Sequence, residues 1–178
     1  MHGNAPVIVV DLQTGMFDGR VAPSLHDAEG LVARVRKILS WARRSGHGVA
    51  FVQQNSPPGD QLAPGAAGWP IWPALGQGAD EPTFGKTVEN AFTSEELRGW
   101  VTALGTDEVI VIGAATNHCV TSTVEGALTE GLKVTVVSDA HSTGSRPGAP
   151  GIIAAHNAAF AAAGARLVTT DELTATGT

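Results

Sequence analysis

Residues 6–11 read Pro6-Val-Ile-Val-Val-Asp11. Four consecutive β-branched apolar residues with no polar alternation suit a strand covered on both faces, and the run ends on a carboxylate. The same pattern returns in Gly48-Val-Ala-Phe-Val-Gln53, Glu108-Val-Ile-Val-Ile-Gly113, Lys133-Val-Thr-Val-Val-Ser-Asp139 and Arg166-Leu-Val-Thr169. Helical spacing fills the gaps. Leu25, Ala28, Leu31, Val32, Val35, Ile38, Leu39 and Ala42 recur at helical intervals and Gly46 closes the run. Thr93 followed by Glu96 is a capping box that predicts a helix over 93–104. Further helices are expected over about 119–130 and 149–163, stopped by Gly131 and Gly164, and residues 174–178 read as a frayed end. Strands alternating with helices predict an α/β fold: a three-layer, mainly parallel Rossmann-like sheet with helices on both faces, in one domain spanning 1–178.

The bulk properties narrow the function. The chain has 178 residues, 43% of them hydrophobic, and a net charge of −6 spread along its length. Without a basic run or a basic stripe interleaved with aromatics, nucleic acid is not an expected partner. The longest apolar runs are too short to cross a bilayer, and the N-terminus lacks the basic and apolar segments of a signal peptide. The single cysteine, Cys119, can form no internal disulfide. A reducing, cytoplasmic setting, where a lone thiol stays free to react, is therefore expected.

From residue 55 to 81 the periodicity disappears into turn chemistry, Ser56-Pro-Pro-Gly-Asp60 and Gly68-Trp-Pro70 among it. Long stretches of this kind inside a domain are usually lids or binding loops. This one carries Trp69 and Trp72, which either line a pocket or anchor the loop.

In open α/β sheets ligands bind beyond the carboxyl ends of the strands. Three reactive groups fall at that edge: Asp11 after the first strand, Lys86 in Thr83-Phe-Gly-Lys86, and Cys119 at the expected start of a helix. A helix N-terminus and a nearby ammonium both favour a thiolate, while an adjacent carboxylate works the other way on the thiol pKa; on balance Cys119 is expected to be thiolate-prone and accessible. Asp11 suits a base that takes the thiol proton, with Lys86 offsetting its charge, and the set suits acyl transfer through a thioester. Each residue also has an ordinary reading: a buried structural thiol, a loop-capping carboxylate, a solvated surface charge. His118 is a rival base, but successive helix residues point about 100° apart, which places it poorly for Cys119. His156 and Asn157, in an apolar helix, read as a hydrogen-bonded packing pair. No dinucleotide fingerprint, phosphate loop or nucleophile elbow is present.

The segment Val111-Ile-Gly-Ala-Ala-Thr-Asn-His-Cys-Val-Thr-Ser-Thr-Val-Glu-Gly-Ala-Leu resembles the signature of the isochorismatase-like cysteine hydrolases, a family that includes nicotinamidases and N-carbamoylsarcosine amidohydrolases. Val9-Val-Asp11-Leu-Gln-Thr-Gly-Met-Phe17, Phe84-Gly-Lys86-Thr-Val-Glu-Asn-Ala-Phe92, Val137-Ser-Asp139-Ala-His-Ser-Thr143 and Ala155-His-Asn157 resemble its other motifs, in the right order over nearly the whole chain. The resemblance implies Asp11, Lys86 and Cys119 as a catalytic triad. It further implies a cis peptide at Ala114–Ala115, an oxyanion hole from the Ala115 and Cys119 amides, and a homo-oligomer, dimer or tetramer. Nicotinamidases bind a metal through an Asp-x-His motif and further histidines after the second strand. Here that stretch is Val52-Gln-Gln-Asn55, and no histidine lies between His47 and His118. No metal and no cofactor are therefore expected. Phe17, Gln53, Asn55, Trp69, Trp72 and His118 are the candidate substrate-binding residues, a neutral and partly aromatic set. The resulting expectation is hydrolysis of a small-molecule amide. Isochorismatase-type vinyl-ether cleavage and a non-catalytic binding or redox-sensing protein are the alternatives.

Overall fold

The computed structural model describes residues 4–175. Its centre is one six-stranded sheet in the order β3-β2-β1-β4-β5-β6, every neighbouring pair parallel. In chain order the strands are β1 (Val7–Val10), β2 (Val49–Gln54), β3 (Thr83–Lys86), β4 (Glu108–Ala114), β5 (Lys133–Ser142) and β6 (Arg166–Val168). The helices are α1 (Ala28–Arg44), α2 (Glu95–Ala103), α3 (Thr121–Thr129), α4 (Ala149–Ala162) and α5 (Thr170–Ala175). This is the three-layer α/β architecture expected from the sequence.

The alternation of strand side chains builds the layers. Val7 and Val9 pack with Leu31, Val35, Ile38 and Leu39 of α1 and Leu173 of α5. Ile8 and Val10 point the other way, toward Leu97 and Val101 of α2, Val124 and Ala127 of α3 and Phe160 of α4. All four β1 residues are completely buried, which is why the sequence shows an unbroken apolar run there. Fully burying such a side chain contributes on the order of 2 kcal/mol, so this central strand is a main source of stability. Among the described residues no helix is long and apolar enough to cross a membrane.

Gly113 lies beside β1 at the carboxyl edge. Its φ is +129°, and a Cβ there would stand 2.2 Å from the Val10 carbonyl oxygen. Only glycine permits that approach. The β4–β5 register shifts between Val111 and Gly113, so β4 changes course immediately before the segment that carries Cys119.

The structure corrects several boundaries. Thr83–Lys86 is a strand: it pairs with Phe51–Gln54 of β2 at the sheet edge, where four residues containing a glycine gave no readable period. The cap of α2 is Ser94, whose Oγ accepts from the Leu97 amide at 3.3 Å; Thr93 instead closes a short turn and bonds the Asn90 carbonyl. Leu25 precedes α1 and bridges to Gly144. Thr174 and Ala175 belong to α5, while residues 176–178 lie outside the described residues. Cys119 does not open a helix. Helical structure begins at Thr116 with a wide π turn, Thr116–Val120, that runs directly into α3.

Candidate functional site

Asp11 follows β1, Lys86 ends β3 and Cys119 lies in the turn after β4, and the parallel topology brings all three to the same edge. Lys86 Nζ donates to Asp11 Oδ2 at 2.8 Å, to Gln54 Oε1 at 2.6 Å and to Cys119 Sγ at 3.3 Å. An ammonium has three donors, and all three are used. Lys86 and Asp11 are almost wholly buried, with side chains 0% and 4% exposed; Cys119 is half-buried.

Gln54, rather than Gln53, is the glutamine at this centre. It sits directly across from Lys86 in the β2–β3 register, and opposed strand residues share a face. Gln53 points the other way and donates from Nε2 to the Trp69 carbonyl at 2.9 Å. Without β3 there was no register from which to choose between two adjacent glutamines.

Asp11 takes the left-handed conformation, φ 50°, which Asp and Asn tolerate better than other side chains. Its amide still completes the ladder by donating to the Val52 carbonyl at 3.0 Å. Burial pushes its carboxyl up from the ordinary range, while the Lys86 charge and bonds from Cys119 and Lys86 pull the other way. Asp11 Oδ1 is buried and meets no partner at hydrogen-bond geometry among the described residues.

Burial, followed by the Asp11 charge, pushes the Cys119 thiol up to about 12, with Lys86 opposing. The expectation of a thiolate-prone cysteine is therefore overturned. The helix starts three residues earlier than the sequence suggested, and a buried carboxylate raises a thiol's pKa. At rest Cys119 is a neutral thiol that needs a base.

The other candidates divide. Trp69 donates from Nε1 to Asn55 Oδ1 at 2.9 Å, and Asn55 lines a cavity of about 510 Å³ with Ser56, Pro57, Pro58, Ala63, Pro64 and Thr87. Phe17 and Trp72 stack on each other, centroids 5.0 Å apart, beside a separate cavity of about 490 Å³ against Ala28, Glu29 and Val32 of α1. His118 is exposed and its Nδ1 lies 3.2 Å from Glu89 Oε1. Gln13, fully buried, was missed by the sequence reading. Its Nε2 donates to the Gln54 and Trp69 carbonyls at 3.1 and 2.9 Å and its Oε1 accepts from the Gln54 amide, tying the long loop to the sheet. The side-chain amides of Gln53, Gln54 and Asn55 are thus engaged with protein groups, and among the described residues no three His, Cys, Asp or Glu cluster where they could hold a metal ion.

The Ala114–Ala115 peptide is cis. The Ala115 carbonyl accepts from the His118 and Val120 amides at 3.0 and 3.1 Å. Thr116 is held at two points: its hydroxyl lies 2.8 Å from His141 Nδ1, and its carbonyl accepts from Thr121 Oγ1 at 2.6 Å.

A carboxylate, an ammonium and a thiol thus meet at the carboxyl edge of a parallel α/β sheet. The family profile described as Isochorismatase domain matches residues 5–172, and the chain belongs to the isochorismatase family. A streptothricin hydrolase of Streptomyces noursei is 32% identical over 167 residues, which cover 94% of this chain and 66% of that protein. A second streptothricin hydrolase from the same organism is covered over 60%, so the chain spans under two thirds of these relatives. A nicotinamidase/pyrazinamidase of Mycobacterium tuberculosis is 28% identical over 75% of this chain and 83% of its own. An isochorismatase structure from Pseudomonas putida superposes with TM-score 0.84 at 27% identity, over 93% of this chain and 88% of that one. A cysteine hydrolase from Pseudomonas syringae shares the fold, TM-score 0.87 at 22% identity, over 96% and 91%.

Proposed function

We propose that the protein is a cysteine hydrolase that cleaves a small-molecule amide, a C–N bond, through a thioester. The observation that carries this reading is one ammonium, Lys86, in contact with both Asp11 Oδ2 and Cys119 Sγ. Desolvation penalises the net creation of charge. Moving a proton from Cys119 to Asp11 creates none: the negative charge passes from carboxylate to sulfur under the same ammonium. The open Oδ1 is the acceptor, and burial raises its affinity for the proton toward what a base needs near neutral pH.

In the proposed reaction Asp11 takes the thiol proton as Sγ bonds to the amide carbon. The Ala115 and Cys119 amides hold the oxyanion, worth roughly 3 kcal/mol per donor in comparable sites. Collapse breaks the C–N bond, and Asp11 returns the proton to the leaving amine. Asp11 then deprotonates water, which cleaves the thioester to a carboxylic acid and restores the thiol. The names of two relatives, a streptothricin hydrolase and a nicotinamidase/pyrazinamidase, support hydrolysis and, for the second, an amide. Asn55 and the neutral cavity beside it are the proposed substrate contact.

The test is ammonia or amine release from a panel of amides and carbamoyl compounds, with nicotinamide and a vinyl ether included, before and after dialysis against chelator. Aliphatic amides or carbamoyl compounds are expected to turn over, nicotinamide poorly, and chelation to change nothing, because neutral amides are weak ligands for zinc or iron. Stoichiometric metal in the active protein, with activity lost on chelation, would overturn the metal-free assignment. A reducing cytoplasm and a homo-oligomer complete the proposal. Equilibrium sedimentation should give a multiple of 18.2 kDa, and a monomer at working concentration would remove the oligomer.

A further inference from the structure

We propose that Thr116 and His141 are positioning residues: His141, in its neutral tautomer with the proton on Nε2, accepts the Thr116 hydroxyl and so holds the turn that carries Cys119. The inference rests on the cysteine-hydrolase reading above.

The proton assignment follows from a chain of bonds whose far end is unambiguous. Asn157 Nδ2 donates to the Ser138 carbonyl at 2.9 Å, and a carbonyl can only accept. The amide is thereby oriented with Oδ1 toward His141, 2.8 Å from Nε2. That oxygen can only accept, so Nε2 carries the hydrogen. Burial disfavours the charged ring, leaving Nδ1 a bare acceptor. Thr116 Oγ1, 2.8 Å away, donates its single proton there. Both residues are buried, Thr116 completely and His141 to 2% exposure, so neither group can turn to bulk solvent instead.

The chain reaches the reactive thiol through the backbone. His141 lies in β5 opposite Gly113 of β4, and Thr116 is the first residue of the π turn that contains Cys119. A second bond, Thr121 Oγ1 to the Thr116 carbonyl at 2.6 Å, fixes the other end of the same residue. Thr121 has one proton to give, so His156 Nδ1, 2.9 Å from its oxygen, donates to it. Side chains from β5, α3 and α4 therefore hold one residue of this turn, beside Ala115 and three positions before Cys119. The hydrogen bonds of the Asp11, Lys86 and Cys119 cluster run instead through Lys86. Misplacing reacting groups by about 1 Å can cost on the order of 100-fold in rate.

Thr116→Val keeps the shape and removes only the hydroxyl. It is expected to melt within a few degrees of the wild type and to lower kcat about 10- to 100-fold with KM changed less than about threefold. Thr116→Ser restores the hydroxyl and should recover most of the loss. His141→Phe should cost about as much, and the double variant Thr116→Val/His141→Phe no more than His141→Phe alone, because one linkage is removed twice. Full activity in Thr116→Val, failure of Thr116→Ser to recover, or additive losses would overturn the proposal. A substrate-free measurement separates it from the hydrolase reading. The ¹⁵N spectrum of the His141 ring should show a protonated Nε2 and a bare Nδ1 at neutral pH, and a protonated Nδ1 would overturn the linkage even if no amide is turned over.

Discussion

Asp11→Asn is expected to lose turnover about 100- to 10,000-fold, the range for removing a general base. Asparagine suits this position in every respect but one. It is isosteric, it tolerates the left-handed conformation at φ 50°, and its Oδ1 can still accept from Lys86. What it lacks is a site for the thiol proton. The substitution also leaves the buried ammonium without a counter-charge, so stability should fall by about 3 kcal/mol, read as a lower urea midpoint. Replacing Lys86 by Met in the same chain should recover much of that stability and none of the activity. Such a pair separates the two roles of Asp11. Alkylation of Cys119 by iodoacetamide should persist in Asp11→Asn, because the carboxylate charge that raised the thiol has gone. Its rate should climb with pH until the thiol is ionised, since hydroxide must now do what Asp11 did. Near-normal amide turnover at neutral pH would move the base elsewhere; His118, facing Glu89 at the surface, would be the residue to test next.

The second large effect is at the nucleophile. Cys119→Ala should fold with little change, within about 1 kcal/mol, because the thiol is half-buried and the substitution removes a single sulfur atom from the edge of the core. Amide turnover should drop on the order of 10,000-fold or more, as when the nucleophile of a comparable covalent mechanism is removed. The same variant discriminates between reactions. Vinyl-ether cleavage requires no thioester and would survive the substitution. Stoichiometric loss of the thiol to oxidant in a protein that turns over no member of the panel would instead favour redox sensing.

The layers of the fold were legible because burial on both faces leaves a mark on local sequence. A strand such as β1, with all four side chains completely buried, has to be continuously apolar, and α1 has to carry its apolar stripe at helical spacing. β3 left no such mark. At the sheet edge only Lys86 of its four residues is buried, and what defines the strand is pairing with β2, a partner about thirty residues away in sequence. Cap residues were similarly displaced by one position, from Thr93 to Ser94, since a capping box constrains spacing more tightly than register.

For the candidate site the division falls between identity and state. The sequence by itself determined which residues could meet: Asp11, Lys86 and Cys119 follow from the rule that reactive groups gather at the carboxyl edge of a parallel sheet, together with motifs in the right order. Only the tertiary structure decided what those residues are when they meet. Cys119 reads from the sequence as thiolate-prone, whereas burial and a carboxylate more than a hundred positions away push its thiol up to about 12. Gln54 displaces Gln53 because a strand turns successive side chains to opposite faces, and Lys86 lies across from only one of them. The Thr116–His141–Asn157 chain crosses from the Cys119 turn through β5 to α4, and each bond depends on proton positions that its neighbours impose. Electrostatic state and hydrogen-bond direction are properties of assembled neighbours, and distance along the chain carries no information about them.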